Sequence, residues 1–163
     1  MVKDKLKTVY DCLLKDGNLI EDTRFNRKVK SIYGYTVNVL SEELNELKDV
    51  KPLEKYDEDW SRMYRGFKYC CNEVKENRSS RRMVIHNTSQ YEKIFECFQL
   101  IQFVLTENDE YLAIVYQRSA DLKKWLDDLT FFANVCKRFE KRAKVKVSNM
   151  IIHYGDLHTE IKQ

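Results

Sequence analysis

Apolar residues at positions 2, 6, 9, 10, 13 and 14 recur at helical spacing, and Gly17 marks where that helix stops. Residues 29–40, "VKSIYGYTVNVL", are β-branched and aromatic in near alternation, which predicts a strand. The charged stretch 41–56, with the chain's one proline at Pro52, reads as a loop holding at most one helical turn. Trp60, Met63, Tyr64, Phe67, Cys71 and Val74 then share one helical face, and residues 77–80 end that helix. Three strands are predicted next, over 82–87, 93–105 and 110–118, the last two joined by the turn "TEND". Leu122, Trp125, Leu126, Leu129, Phe132, Cys136 and Phe139 trace one long apolar stripe, so 122–142 is the main core helix. A final strand covers about 146–154 and runs into "HYGDLHTE". The order of elements predicts a single α+β domain over residues 1–163, with one sheet packed against helices.

Composition narrows the class. A chain of 163 residues with 43% hydrophobic, 12% aromatic and 34% charged content suits one packed core under a polar surface. No apolar run approaches the length of a bilayer span and no signal-peptide core is visible, which predicts a cytoplasmic protein away from membranes. Five cysteines, odd in number and without CxxC spacing, read as free thiols. The three histidines have no metal-ligand spacing, so no metal is expected. A net charge of +3 does not call for a nucleic-acid partner. The basic run "KRFEKRAKVK" at 137–146 reads as a solvated helix end, where cations complement the carbonyl groups.

Several residues admit two readings on local grounds. Arg81 and Arg82, in "RSSRRMVIHN", form a solvated turn or hold an anion. Arg118, closing an apolar strand, is a phosphate ligand, a surface strand terminus or an ion-pair partner of Asp121. Cys97, inside "IFECFQLI", is a nucleophile or a buried small hydrophobe. His158 binds a ligand or ends a strand partly exposed, and Asp121 and Asp156 orient site residues or cap turns.

"YQRSAD" at 116–121, followed by a long helix, a strand and "GDLH" at 155–158, resembles the thymidylate synthase and deoxynucleotide hydroxymethylase family. The match extends backwards in order: "CFQLIQF" at 97–103 falls where the family has its nucleophilic cysteine, "SSRR" at 79–82 where it has paired arginines, and "DTRFNRKVKSIYG" at 22–34 where it has its phosphate loop and first strand. The resemblance spans about residues 5–160 and implies a shortened thymidylate-synthase-like domain with one mixed sheet. It implies a homodimer binding a pyrimidine deoxynucleoside monophosphate, dUMP or dCMP, with Arg24, Arg118 and Ser119 on the phosphate from one chain and Arg81 and Arg82 reaching over from the other. Cys97 is then the thiolate that adds to pyrimidine C6, with Arg118 lowering its pKa and Asp121 orienting the site. His158 is the ligand of the sugar 3′-hydroxyl, and methylenetetrahydrofolate is the implied one-carbon donor.

The chain also departs from the family. The base-reading asparagine aligns with Leu129, one residue from Asp128. As base reader, Asp128 would accept from the amine of cytosine, as in the hydroxymethylase branch; Asp127 and Asp128 read equally as solvent-facing. The histidine after the catalytic cysteine is Phe98, and the tyrosine of the sugar motif is Glu160. The segment that supplies the folate tryptophans and a catalytic glutamate is much shortened, with Glu43 as a candidate glutamate. Full thymidylate synthesis is therefore not expected. A nucleotide-binding or regulatory relative without a folate site is the alternative.

Overall fold

The computed structural model describes residues 2–22, 27–87 and 97–161, in which four helices pack on one six-stranded mixed sheet. Helix α1 (Val2–Asp16) buries Val2, Val9 and Leu13. It stops where expected: a Cβ at Gly17 would lie 2.4 Å from the Leu13 carbonyl oxygen, the same atom that accepts the Gly17 amide at 3.0 Å. Strand β1 (Asn18–Asp22) pairs antiparallel with β2 (Arg27–Val39). The apolar pattern missed β1 because none of its five residues is fully buried.

The stretch read as a loop at 41–56 holds more than one turn. Helix α2 (Ser41–Lys48) buries Leu44 and Leu47, and a 3-10 turn follows at Glu54–Tyr56. Two helical turns show too few apolar positions for a 3.6-residue period to stand out among so many charges. Helix α3 (Asp57–Glu76) buries Met63, Phe67, Cys71 and Val74, as its pattern implies, while Tyr64 is 40% exposed.

Strand β3 (Val84–His86) pairs with β4 (Phe98–Leu105), and β4 with β5 (Tyr111–Asp121), all antiparallel. The expected start of β4 at 93–96 lies outside the described residues. "TEND" is the predicted turn: the Thr106 amide donates to Glu110 O at 2.8 Å, and Asp109 takes φ 58°. A 3-10 turn at Leu122–Lys124 leads into α4 (Trp125–Ala143), whose buried stripe includes Trp125, Leu129, Phe132, Cys136 and Phe139. Leu126, assigned to that stripe by pattern, is instead 37% exposed.

Helix α4 returns the chain to β6 (Val147–Glu160), which lies parallel to β5; a parallel pair needs such a crossover. The sheet order is β1-β2-β6-β5-β4-β3, and β5–β6 is its one parallel pairing. Both central strands outrun their predicted ends, β5 by three residues and β6 by six, because each supplies the other's hydrogen-bond partners. Ser119 pairs with Asp156 and Asp121 with His158, so "RSAD" and "GDLH" lie side by side on strands rather than in loops. The core sits against one face: Ala113, Val115, Met150 and Ile152 are fully buried, while the alternate positions Leu112, Ile114 and Ile151 are half-buried and Tyr116 is exposed. No described helix is long and apolar enough to cross a membrane.

Candidate functional site

At the carboxyl ends of β5 and β6 the sheet and the first turn of α4 enclose a cavity of about 500 Å³. Two residues of this strand pair show how tightly the site is built. The Arg118 carbonyl oxygen lies 2.7 Å from where a Cβ on Gly155 would stand, so only glycine lets β6 approach β5 here. That approach sets the register that puts Ser119 beside Asp156 and Asp121 beside His158. Glycine at this place in "GDLH" is a packing requirement.

Cys97, Arg118, Ser119, Asp121, Asp128 and His158 all line this one cavity. Cys97 is exposed and directly precedes β4, and its carbonyl accepts the Arg118 amide at 2.6 Å, so the two side chains spring from hydrogen-bonded backbone positions. It is therefore not the buried hydrophobe its apolar flanks suggested. The buried cysteines differ: desolvation pushes the thiols of Cys70 and Cys136 up to about 12 and that of Cys71 up to about 11. These three stay protonated at neutral pH.

One end of the cavity is cationic. Arg27, Arg118 and Lys124 line it, and Arg27 also holds Asp22 at 3.3 Å and Asp121 at 3.7 Å. Asp121 accepts the Lys123 amide at 3.0 Å, so it caps the 3-10 turn and pairs with Arg27 together. His158 Nδ1 is buried 3.4 Å from Asp156 Oδ2, an ion-pair distance without a well-directed hydrogen bond. Asp156 also accepts the Ser31 hydroxyl. Burial alone would raise the Asp156 carboxyl; the neighbouring His158 ring and the Ser31 hydroxyl outweigh it and hold the group below the usual range.

The other end collects acceptors. Tyr56 donates its hydroxyl to Asp128 Oδ1, and Gln117 Nε2 donates to Asp128 Oδ2 at 2.8 Å. Burial raises the Asp128 carboxyl despite both bonds, and burial followed by the hydrogen bond to Asp128 raises the Tyr56 phenol. Asp59 accepts from Asn87 Nδ2 at 2.6 Å and from Arg62 at 2.9 Å. Between the ends lies an aromatic wall, with Tyr56 stacked on Phe131 at 4.7 Å and Phe98 against Phe132 at 4.8 Å. Along β5, Gln117 and Asp121 are four residues apart, about 13 Å at 3.3 Å per residue. The cavity can thus take a flat ring on the aromatics with an anion at one end and hydrogen-bond donors at the other.

The register of α4 places Asp128 and Leu129 in different surroundings. Leu129 is fully buried in the core, Asp127 pairs at the surface with Lys55, and Asp128 faces the cavity. Other expectations fall elsewhere. Arg24 lies outside the described residues. Arg81 and Arg82 are exposed in the turn after α3 and do not line their own chain's cavity; Gln102 donates to the Arg81 carbonyl at 3.0 Å. Glu43 is not at the site: it accepts from Lys5 and, at 2.9 Å, from the Leu40 amide, capping α2. Sequence reasoning missed Arg27, Tyr56, Asp59, Gln117 and Lys124. Only Gln117, adjoining Arg118 on an otherwise apolar strand, carried a local signal.

In sequence the chain matches no protein-family model and no curated protein.

Proposed function

We propose that this chain is a small, divergent relative of thymidylate synthase and the deoxynucleotide hydroxymethylases, and that it binds a pyrimidine deoxynucleoside monophosphate in the β5–β6 cavity. One observation carries the reading: Cys97, Arg118, Ser119, Asp128 and His158, spread over more than sixty positions of chain, line one cavity. A nucleotide phosphate is a dianion at neutral pH, and guanidinium groups fork onto its oxygens with charge-assisted bonds. Arg118 and Arg27 meet it at the cationic end, and the ring lies on Phe98 and Phe131. Ser119 adds a hydroxyl to the phosphate, and His158 takes the sugar hydroxyl.

Cys97 is the nucleophile. Its thiolate sulfur forms a bond to pyrimidine C6, and the C5–C6 π electrons move to C5, which takes a proton from solvent. Loss of the original C5 hydrogen as a proton returns the electron pair, the C6–S bond breaks, and the nucleotide leaves with its C5 hydrogen exchanged. This exchange needs no further reactant. The residues do not fit the family's folate. The family's histidine is Phe98 here, and Glu43 is held by Lys5 and the α2 cap, so no step is routed through a folate. The proposal includes a homodimer, with the second copy against the half-buried face of Leu112, Ile114 and Ile151, and with Arg81 and Arg82 serving the neighbouring chain's phosphate.

The test uses dUMP and dCMP tritiated at C5, together with thermal unfolding and sedimentation of the intact protein. Tritium release that Cys97→Ala abolishes identifies the catalyst. Stabilisation by nucleotide that survives Cys97→Ala, is lost in Arg118→Ala and comes without tritium release identifies the non-catalytic binder. Stabilisation by neither nucleotide removes the proposal.

A further inference from the structure

We infer that the seam where α3 meets α4 is a docking groove for an acidic polypeptide segment of another protein, one that carries an apolar side chain flanked by carboxylates. The inference stands apart from the nucleotide reading, because the seam lies behind the Tyr56 and Phe131 rings that wall the cavity.

Two rows of side chains build the groove. On α3, Trp60, Tyr64, Lys68 and Lys75 recur at four- and seven-residue spacing, so they share one edge of the helix. On α4, Val135, Arg138 and Arg142 do the same at three and four residues. Contacts join the rows: the Arg138 guanidinium lies 4.2 Å over the Trp60 ring, and the charges of Arg142 and Lys75 both act on the Cys71 thiol of α3. Lys68 lies 5.0 Å over the Tyr64 ring. From Trp60 to Lys75 the edge runs about 22 Å, at 1.5 Å per residue.

The charge along this edge is uncompensated. Other basic side chains of the surface take carboxylates: Lys137, next to Arg138, holds Asp49 at 3.4 Å, and Lys55 holds Asp127 at 3.2 Å. Among the described residues no carboxylate is in ion-pair contact with Lys68, Lys75, Arg138 or Arg142. The acidic groups of α4 are engaged elsewhere, Asp127 with Lys55, Asp128 at the cavity and Glu140 with Lys48. Asp57 borders the groove only at the end away from Lys75. Four cations with no counter-charge of their own make a field that draws an anionic partner.

Two features select a polypeptide over a nucleic acid. Single-stranded nucleic acid stacks its bases on open aromatic faces. Here the Trp60 ring is covered by Arg138 and met at 4.9 Å by Phe67, so the rings hold cations in place of bases. A guanidinium resting on a ring keeps its N–H edge free, and that fork takes a carboxylate through two parallel bonds. The second feature is apolar. Pro52 and Leu53 line a shallow notch beside Trp60 with Arg138 at its rim, and Leu53 is 49% exposed. A phosphodiester backbone has no group for this notch, whereas an aliphatic side chain one turn from a glutamate fills it while the glutamate reaches Arg138. An acidic amphipathic helix laid along the seam makes both contacts.

The experiment measures, by anisotropy of labelled probes on the intact protein, the affinity of a synthetic helix-forming peptide with leucines along one face and glutamates on both flanks. The same peptide with glutamine for glutamate, and oligothymidylate, are the comparison probes, and circular dichroism establishes folding of each variant. The glutamate peptide is expected to bind at least about tenfold more tightly than the glutamine peptide, and more tightly than oligothymidylate at equal ionic strength. Arg138→Glu with Arg142→Glu should weaken it at least about tenfold, while Lys3→Glu with Lys7→Glu, an equal change of charge on the exposed face of α1, should leave it within about twofold. No binding of the glutamate peptide, or equal binding of the glutamine peptide, overturns the inference. Tighter binding of oligothymidylate makes the seam a nucleic-acid surface and overturns it as well. So does affinity that survives the folded α4 reversal or falls equally with the α1 reversal. Should the α4 reversal fail to fold, Arg138→Gln decides alone, and a loss of less than about threefold overturns the inference. None of these results bears on the nucleotide site.

Discussion

The parallel pair β5–β6 has two ends built from the same strands and the same helix, and they treat polar groups in opposite ways. At the end away from the cavity, Lys48 is 7% exposed yet fully engaged: its Nζ donates to Glu140 at 2.8 Å, to Val147 O at 3.3 Å and to Asn45 at 3.4 Å. Glu140 in turn accepts the Val147 amide at 2.8 Å, tying α2, α4 and β6 into one node. Phe103 and Phe139 stack beside it at 3.9 Å. At the cavity end, Gln117 Oε1 and His158 Nδ1 are buried without hydrogen-bond partners, and no other side-chain nitrogen or oxygen among the described residues is. Completing every bond makes an end that holds the fold together. Leaving acceptors and a ring nitrogen open makes an end that can gain stability from something else.

The largest expected effect breaks the closed end. Glu140→Ala removes the partner of a buried ammonium, and an uncompensated buried charge typically costs about 3–5 kcal/mol. Denaturant unfolding should show that loss. Replacing both partners together, as Lys48→Met with Glu140→Leu, should recover most of it, because the desolvated charge is gone. If Glu140→Ala costs less than about 1 kcal/mol, the closed end is not the clamp described here.

A smaller effect tests how the open end is assembled. Gly155→Ala places a methyl group 2.7 Å from the Arg118 carbonyl oxygen, and backbone cannot turn aside as a side chain would. The strands must part locally, with an expected cost of about 2 kcal/mol in unfolding, in the range for strain at a packed backbone position. Nucleotide-dependent stabilisation should fall with it, since Arg118, Ser119 and His158 depend on that register. Gly34→Ala is the control. It meets no atom within 4 Å, and its φ of 66° alone costs about 1 kcal/mol. It should leave binding intact.

The same contrast explains what could be read in the sequence. The closed end was legible because hydrophobic periodicity reports burial: Trp125, Leu129, Phe132, Cys136 and Phe139 mark α4 without ambiguity. The strand ends at the cavity were not. Ser119, Asp121, Asp156 and His158 break the apolar pattern, so β5 was expected to end at Arg118 and β6 near residue 154, short of these cavity-lining residues. Those residues were found through the order of short motifs instead. Motif order did not separate Asp128 from Leu129, although a rotation of about 100° per residue puts one at the cavity and the other in the core. Tyr56 and Asp59 lay hidden because their contacts reach across about seventy positions to Asp128, or from Asn87 back to α3. Local composition carries no record of such pairings.

The smallest expected effect sharpens the contrast inside the open end. Two of its carboxylates should titrate on opposite sides of the ordinary aspartate value of 3.8. Asp128 should lie above it, because burial outweighs the bonds from Tyr56 and Gln117. Asp156 should lie below it, because His158 and Ser31 outweigh burial. The signs for stability follow from linkage. The depressed Asp156 contributes stability that is present above 3.8 and is lost as pH falls through its lower folded value. The raised Asp128 does the reverse: its contribution is full below 3.8 and is lost as pH rises through its higher folded value. Carbon-detected NMR titration of the side-chain carboxyls resolves the two groups directly. If Asp128 titrates at or below 3.8 in the free protein, solvent already reaches that end and burial is not what sets its charge.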